Sequence, residues 1–182
     1  MYDNMLVMNI LLLVGSGDAD SHSLHLGQAI EAALTKRGAT TELINLVEYG
    51  LPVFNRSVER NDNYNQLTRE FLDKSQAADA YVWITPIYHN SFSGILKNAL
   101  DWQHSKFPNK VVGMASHGGH RSPQAVDHLM HIARAQHGVS IRTRVCTEDG
   151  DYDDKLTITD DSILRRIEDF ADELVELTRR FQ

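Results

Sequence analysis

Short apolar runs alternate along the chain with longer stretches in which apolar residues recur every three or four positions. Leu6 to Val14 is almost wholly apolar, as a parallel strand covered on both faces would be. Ser21 to Arg37 follows with helical spacing at Leu26, Ile30, Ala33 and Leu34, and ends on Lys36-Arg37-Gly38, basic residues then a glycine stop. Thr40 to Leu46 reads as a second strand. A loop with Gly50 and Pro52 leads to a helix near Asn63 to Ala78, with Leu67, Phe71, Leu72 and Ser75 on one face. Ala80 to Thr85 is a third strand, ended by Pro86. Phe92, Ile95, Leu96, Ala99 and Leu100 then make one helix stripe.

Lys110 to Ala115 is a fourth strand. Ser122-Pro123 opens the next helix, with the hydroxyl at the cap and the proline at the first position, and Ala125, Val126, Leu129, Met130 and Ala133 as its buried face. Val139 to Val145 alternates apolar with polar, the mark of a half-exposed edge strand. The last helix runs from about Asp160 to Phe181, acidic at its start and basic at its end, which suits the helix dipole. Five strands separated by helices predict an α/β fold whose parallel sheet is wrapped on both sides. In such sheets ligands lie beyond the carboxyl ends of the strands, so the loops after strands one, three and four should hold the chemistry.

Composition narrows the partners. The 182 residues fit a single domain spanning 1–182, and a formal net charge of -7 argues against a nucleic-acid binder, which needs a basic face. No apolar run is long enough to span a membrane, and the first residues do not read as a signal peptide. The lone cysteine, Cys146, rules out an intrachain disulfide and suits a reducing, cytoplasmic compartment; it reads as structural.

The loop after strand one, Gly15 to Ser23, matches neither the dinucleotide pattern, because Asp20 stands at the third glycine, nor the P-loop, which needs Gly-Lys-Ser/Thr. What remains is a small-residue turn with Ser16, Ser21 and Ser23 at a helix N-terminus. That arrangement suits either an anion such as a phosphate or plain capping. After strand three come Pro86, Ile87, Tyr88, His89, Asn90 and Ser91: an aromatic wall beside backbone donors, which a flat heteroaromatic ligand needs, or a hydrophobic turn covering the sheet. Lys97 and Asp101, four apart, read as a helix-surface pair. After strand four, Ser116, His117, Gly118 and Gly119 let main-chain amides approach a ligand closely, or simply form a flexible connector.

The segment Thr85 to Trp102 resembles the signature of the NADPH-dependent FMN reductase family, carried by Pro86, Tyr88, Ser91, Ser93, Gly94, Leu96, Lys97, Leu100 and Asp101. Gly15-Ser16 with Ser21 resembles that family's phosphate loop, Gly118-Gly119 its glycine pair, and Leu43 to Leu46 with Leu51-Pro52 its second-strand exit. The resemblance implies a flavodoxin-like three-layer sandwich, sheet order 2-1-3-4-5, with FMN lying across the strand ends. It implies an enzyme that takes electrons from NADPH (or NADH) and passes them to a small acceptor: free flavin, quinone, azo dye or metal oxyanion. Tyr88, His89, Asn90 and Ser91 would flank the ring, and the Gly118 and Gly119 amides would face its pyrimidine end. Family members usually carry an arginine near Asp18, so phosphate would rest here on Ser16, Ser21, Ser23, helix amides and His22. No protein acid or base is obligatory, so no catalytic residue is assigned. His117, His120 and Arg121 are placed to meet the nicotinamide phosphates or the acceptor.

Rival readings share parts of this pattern. A non-enzymatic flavin carrier or redox-sensing module would use the same loops, told apart by NADPH consumption. A phospho-acceptor switch domain needs acids at the end of strand one, and Leu11-Leu12-Leu13-Val14-Gly15 has none. Among nine histidines, His117/His120 and His128/His131 are each three apart, but no carboxylate or cysteine cluster of known metal spacing accompanies them, and His128 and His131 read as solvated. Asp149, Asp151 and Asp153 mimic the start of a calcium loop, yet Asp154 stands where its glycine should be, so they read as a solvated acidic loop. The family resemblance implies a homodimer or homotetramer, with Trp102 and Phe107 as candidate contacts.

Overall fold

The computed structural model describes residues 8–103 and 109–182; Leu6, Val7 and Phe107 lie outside them. Six strands form one parallel sheet: β1 (Asn9–Val14), β2 (Thr40–Asn45), β3 (Ala80–Pro86), β4 (Val111–His117), β5 (Val139–Ser140) and β6 (Val145–Thr147). The order is β2-β1-β3-β4, and β5 and β6 both pair with the outer edge of β4. The flavodoxin-like order 2-1-3-4-5 is therefore present, with its fifth position filled by two short pieces. The expected continuous strand from Val139 to Val145 is broken because the amides of Arg142 and Thr143 leave the ladder. Both donate instead, at 2.9 Å each, to the Glu173 carboxylate.

Seven helices flank the sheet among the described residues: α1 (His22–Thr35), α2 (Leu46–Tyr49), α3 (Arg56–Arg60), α4 (Gln66–Ala77), α5 (Gly94–Trp102), α6 (Gln124–Ala135) and α7 (Asp161–Phe181). The short α2 and α3 fall in the loop predicted after strand two. Strand residues divide by the two-residue period of the pleat. Ile10, Leu12, Val14, Val82, Ile84 and Ala115 face the core under α1 and α7; Leu11, Leu13, Tyr81, Trp83, Val112 and Met114 face the core under α4, α5 and α6. Both faces of β3 are buried throughout, which is why it reads as a continuous apolar run.

Local signals fix the helix ends. Ser21, Asn65, Ser93 and Asp160 cap α1, α4, α5 and α7 with side-chain oxygens, and Gly38, with φ 83°, follows α1 in the left-handed region. Two expectations at α6 shift. Pro123 is itself the N-cap, one residue later than the expected opening, and the helix has no side-chain cap. Met130 is 44% exposed, on the outer face. Trp102, a candidate subunit contact, is 1% exposed. Its indole donates to the Pro52 carbonyl at 2.8 Å and its ring packs edge-on against Phe54 and Tyr64, so it belongs to the chain's own core.

Candidate functional site

The carboxyl ends of β1, β3 and β4 bring three loops together. The first two are stitched by backbone and side chain. The Gly15 amide donates to the Ile84 carbonyl at 2.8 Å, and the Ser93 hydroxyl donates to the Gly15 carbonyl. Ser93 in turn caps α5, accepting from Leu96 N at 3.1 Å, while its own amide donates to Thr85 Oγ1 at 2.9 Å. A Cβ on Gly15 would come within 2.5 Å of Leu96 Cβ, so only glycine lets the strand-one exit lie this close to α5. A Cβ on Gly17 would lie 3.6 Å from the Tyr88 hydroxyl, which places Tyr88 over the first loop. The third loop joins through Ile87: its amide donates to the His117 carbonyl at 2.7 Å, and a Cβ on Gly118 would meet its side chain at 2.9 Å.

In the first loop, Ser21 is the N-cap of α1 and accepts from Leu24 N at 3.2 Å. Ser16 is buried; its hydroxyl accepts from Asp18 N at 3.1 Å. The Asp18 carboxylate accepts from Asp20 N at 3.3 Å, so it closes the turn. The amides of Ser16, Gly17, Ala19, Ser21, His22 and Ser23 have no partner among the described residues. That leaves a row of N–H donors at the positive end of a 14-residue helix, a donor set that fits a phosphate.

The second loop is a tight turn in which Tyr88 and Ser91 exchange amide-to-carbonyl bonds of 2.9 and 3.0 Å. His89 and Asn90 at its tip have φ 50° and 62°, the left-handed conformation of a type I′ turn. Their amides have no partner among the described residues and stand beside Tyr88, which is 46% exposed. The Ser91 hydroxyl lies 3.0 Å from His128 Nδ1, so His128, read as solvated, is tied to this loop. Pro86 is buried at the end of β3. An aromatic face beside unspent amides fits a flat ring with polar edges.

The third loop is more committed than expected. Ser116 and His117 belong to β4 itself. The Gly118 amide donates to the Thr147 carbonyl at 3.1 Å, and of the glycine pair only the Gly119 amide is unspent among the described residues. Arg121, expected to meet a nicotinamide phosphate, is exposed but already engaged by acids of its own chain. It clamps Asp151, reaches Asp160 at 2.9 Å and touches Ser162 at 3.3 Å. Asp151 is 1% exposed, so the stretch expected as a solvated acidic loop holds a buried carboxylate with a guanidinium on it. His120 is exposed.

A fourth wall, from the loop after β6, carried no local sequence signal. His117 Nδ1 lies 3.2 Å from Thr147 Oγ1 and its Nε2 lies 3.2 Å from Asp149. Its ring stacks on His22, with centroids 4.3 Å apart and planes 3° from parallel, and Tyr152 packs edge-on against both. The Tyr152 hydroxyl is 2.9 Å from Thr147 Oγ1. Burial pushes the His117 pKa down, the neighbouring His22 adds to this, and Asp149 opposes both. Burial likewise pushes the Tyr152 phenol up to about 12. The His117 ring and the Tyr152 phenol therefore add no charge near pH 7, and the Asp149 carboxylate is the acidic group of this wall.

Strand order and layers define a flavodoxin-like α/β protein, with three loops side by side at the carboxyl edge of its sheet. A family model described as NADPH-dependent FMN reductase matches residues 8–151. An FMN-dependent NADPH-azoreductase of Staphylococcus haemolyticus (strain JCSC1435) is 32% identical over 176 residues, covering 92% of this chain and 94% of that protein. The one from Staphylococcus aureus (strain USA300) is 31% identical with the same coverage. Among solved structures, the flavoenzyme FerB, an NAD(P)H:(acceptor) oxidoreductase of Paracoccus denitrificans, superposes with a TM-score of 0.76 at 20% identity, over 96% of this chain and 98% of that one. The chain belongs to the NADPH-dependent FMN reductase family. It is an oxidoreductase whose cofactors are FMN and NADPH, which sets the carrier reading aside.

Proposed function

We propose that this chain holds FMN across the three loops and uses it to pass electrons from NADPH to a small aromatic acceptor, an azo compound or quinone. When bound, the flavin supplies the hydride and electron transfer chemistry; the protein binds, orients and shields it. The amides of residues 16, 17 and 21–23 take the phosphate, helped by the Ser16, Ser21 and Ser23 hydroxyls. The observation that carries this reading is the 88–91 turn: its left-handed tip presents two amides unspent among the described residues beside Tyr88, whose hydroxyl lies over Gly17 of the first loop. Those amides, with Ile87, Ser91 and Pro86 behind them, orient the ring. Ser116, His117 and Gly119 border its pyrimidine end, where a preorganised donor stabilises negative charge. Gly118 contributes shape, since its amide is spent on Thr147.

The reading is tested by titrating flavin-free protein with FMN and with riboflavin. FMN should bind at least tenfold more tightly, because only FMN engages the α1 amides. Asn90→Val should weaken both, since a β-branched residue resists the left-handed conformation, while Asn90→Gly should not. Equal affinity for FMN and riboflavin would place the phosphate elsewhere.

The chain also works as a homodimer in the cytoplasm. A groove of about 540 Å³ between α2, the segment after it and α5 is lined by Leu46, Leu51, Val53, Phe54 and Ile95, and Val53 is 84% exposed. Apolar surface of this kind favours burial against a second copy. Light scattering should give twice the chain mass. Among the described residues no helix is long and apolar enough to cross a membrane.

A further inference from the structure

We propose that His22, His117 and Asp149 form a site for a divalent cation of borderline softness, Zn2+ being the best fit. One ligand atom from each of the three lies within 4.8 Å of the others. They come from three separated places in the chain, the first residue of α1, the last residue of β4 and a 3₁₀ turn at Asp149–Asp151. Two imidazoles and one carboxylate with an open fourth position is a recurrent zinc ligand set.

The geometry is already half built. His117 Nε2 and Asp149 Oδ1 are 3.2 Å apart. Two ligand atoms on one tetrahedral zinc, each at about 2.0–2.1 Å, stand about 3.3 Å from each other. His117 Nδ1 faces Thr147 Oγ1 at 3.2 Å, and that hydroxyl is backed by Tyr152. A ligating histidine is normally held in this way through its other nitrogen, which fixes the ring and aims the free lone pair. Tyr152 packs edge-on against both imidazoles, so neither ring drifts out of the cleft. To ligate the ion, His22 would rotate its ring out of the stack on His117, and the largely exposed Asp149 would move without breaking a buried contact.

Charge points the same way. The neighbouring acid Asp151 is neutralised by Arg121, whereas among the described residues Asp149 pairs with nothing but His117. The other histidine pairs lack this convergence: His25 is taken by Asp20, and His120 and His131 face solvent. The His22 backbone amide faces the proposed phosphate while its side chain faces His117, so the two sites adjoin, with His117 on the border of both.

The test uses the full chain, stripped with a chelator and dialysed without flavin against Zn2+, with bound metal measured by atomic emission and geometry read from the visible absorption of Co2+. Wild type should retain one ion per chain and give the intense band of tetrahedral Co2+. Asp149→Asn and His117→Asn should each lower affinity at least tenfold, and Thr147→Val, which removes only the supporting hydroxyl, by about 10–100-fold. His131→Gln and Cys146→Ser should leave binding unchanged. Asp149→Asn alters an exposed side chain and keeps the fold, which circular dichroism confirms. Retention of no ion by wild type, or equal retention by Asp149→Asn and His117→Asn, would overturn the site.

Discussion

Single residues decide whether the loops converge. Ser93 is the clearest case, because one hydroxyl both caps α5 and holds the Gly15 carbonyl. Ser93→Ala removes the cap, worth about 1 kcal/mol, and leaves a buried carbonyl unpaired at a further cost of about 1–3 kcal/mol. Thermal unfolding should show a loss of about 2–4 kcal/mol, and FMN affinity should fall because the phosphate loop is no longer anchored to α5. Unchanged stability would mean that the stitch is idle. Part of this was readable in advance: Ser93 falls inside the Thr85 to Trp102 signature, and the loops after strands one and three, expected to lie together, are joined at Gly15 and Ser93. Arg121 and Asp151 were not readable. A basic residue beside a glycine pair looks like a phosphate ligand in sequence, and only the fold reveals a buried carboxylate 30 positions away that claims it.

At the scale of elements, β1, β3 and β4 were legible as continuous apolar runs because both faces of each strand are covered. The edge of the sheet was not. Val139 to Val145 alternates like a strand, yet the alternation cannot reveal that Glu173, on α7, supplies the acceptors for two of its amides. Burial raises the Glu173 pKa, but the bonds from Thr143 and Arg142 outweigh it and hold the carboxyl below the usual glutamate range. A depressed carboxylate stabilises the fold above its unfolded pKa, and that contribution is lost as pH falls through the lower, folded value. Glu173→Gln should therefore destabilise at pH 7 by about 1.5–3 kcal/mol, the worth of bonds to a charged acceptor. It should also lose less on acidification below pH 4.5 than wild type does, as urea midpoints across pH would show.

Packing between elements makes a second prediction. Gly113, in the middle of β4, has Phe170 of α7 lying on it, and a Cβ there would sit 2.3 Å from the ring. Gly113→Ala should cost about 1–3 kcal/mol through overpacking, and Phe170→Leu in the same chain should recover part of it. Additive losses in the double variant would show that the two sites do not touch.

For the whole molecule, a parallel sheet places the ends of its central strands at one edge, and the chemistry follows from what the loops leave unspent there. Amides without a partner among the described residues gather at the α1 start and at the 88–91 turn, while the β4 and β6 loops are largely tied to one another. On the proposed reading the first set takes a phosphate and the second a flat ring, and the family the chain belongs to is one of FMN reductases. The most direct test is anaerobic spectroscopy of the FMN-loaded chain mixed with NADPH. The account predicts a yellow protein whose flavin absorbance bleaches on adding NADPH and returns on adding an azo compound or quinone. A chain that stays colourless in excess FMN, or a bound flavin that NADPH leaves oxidised, would contradict it.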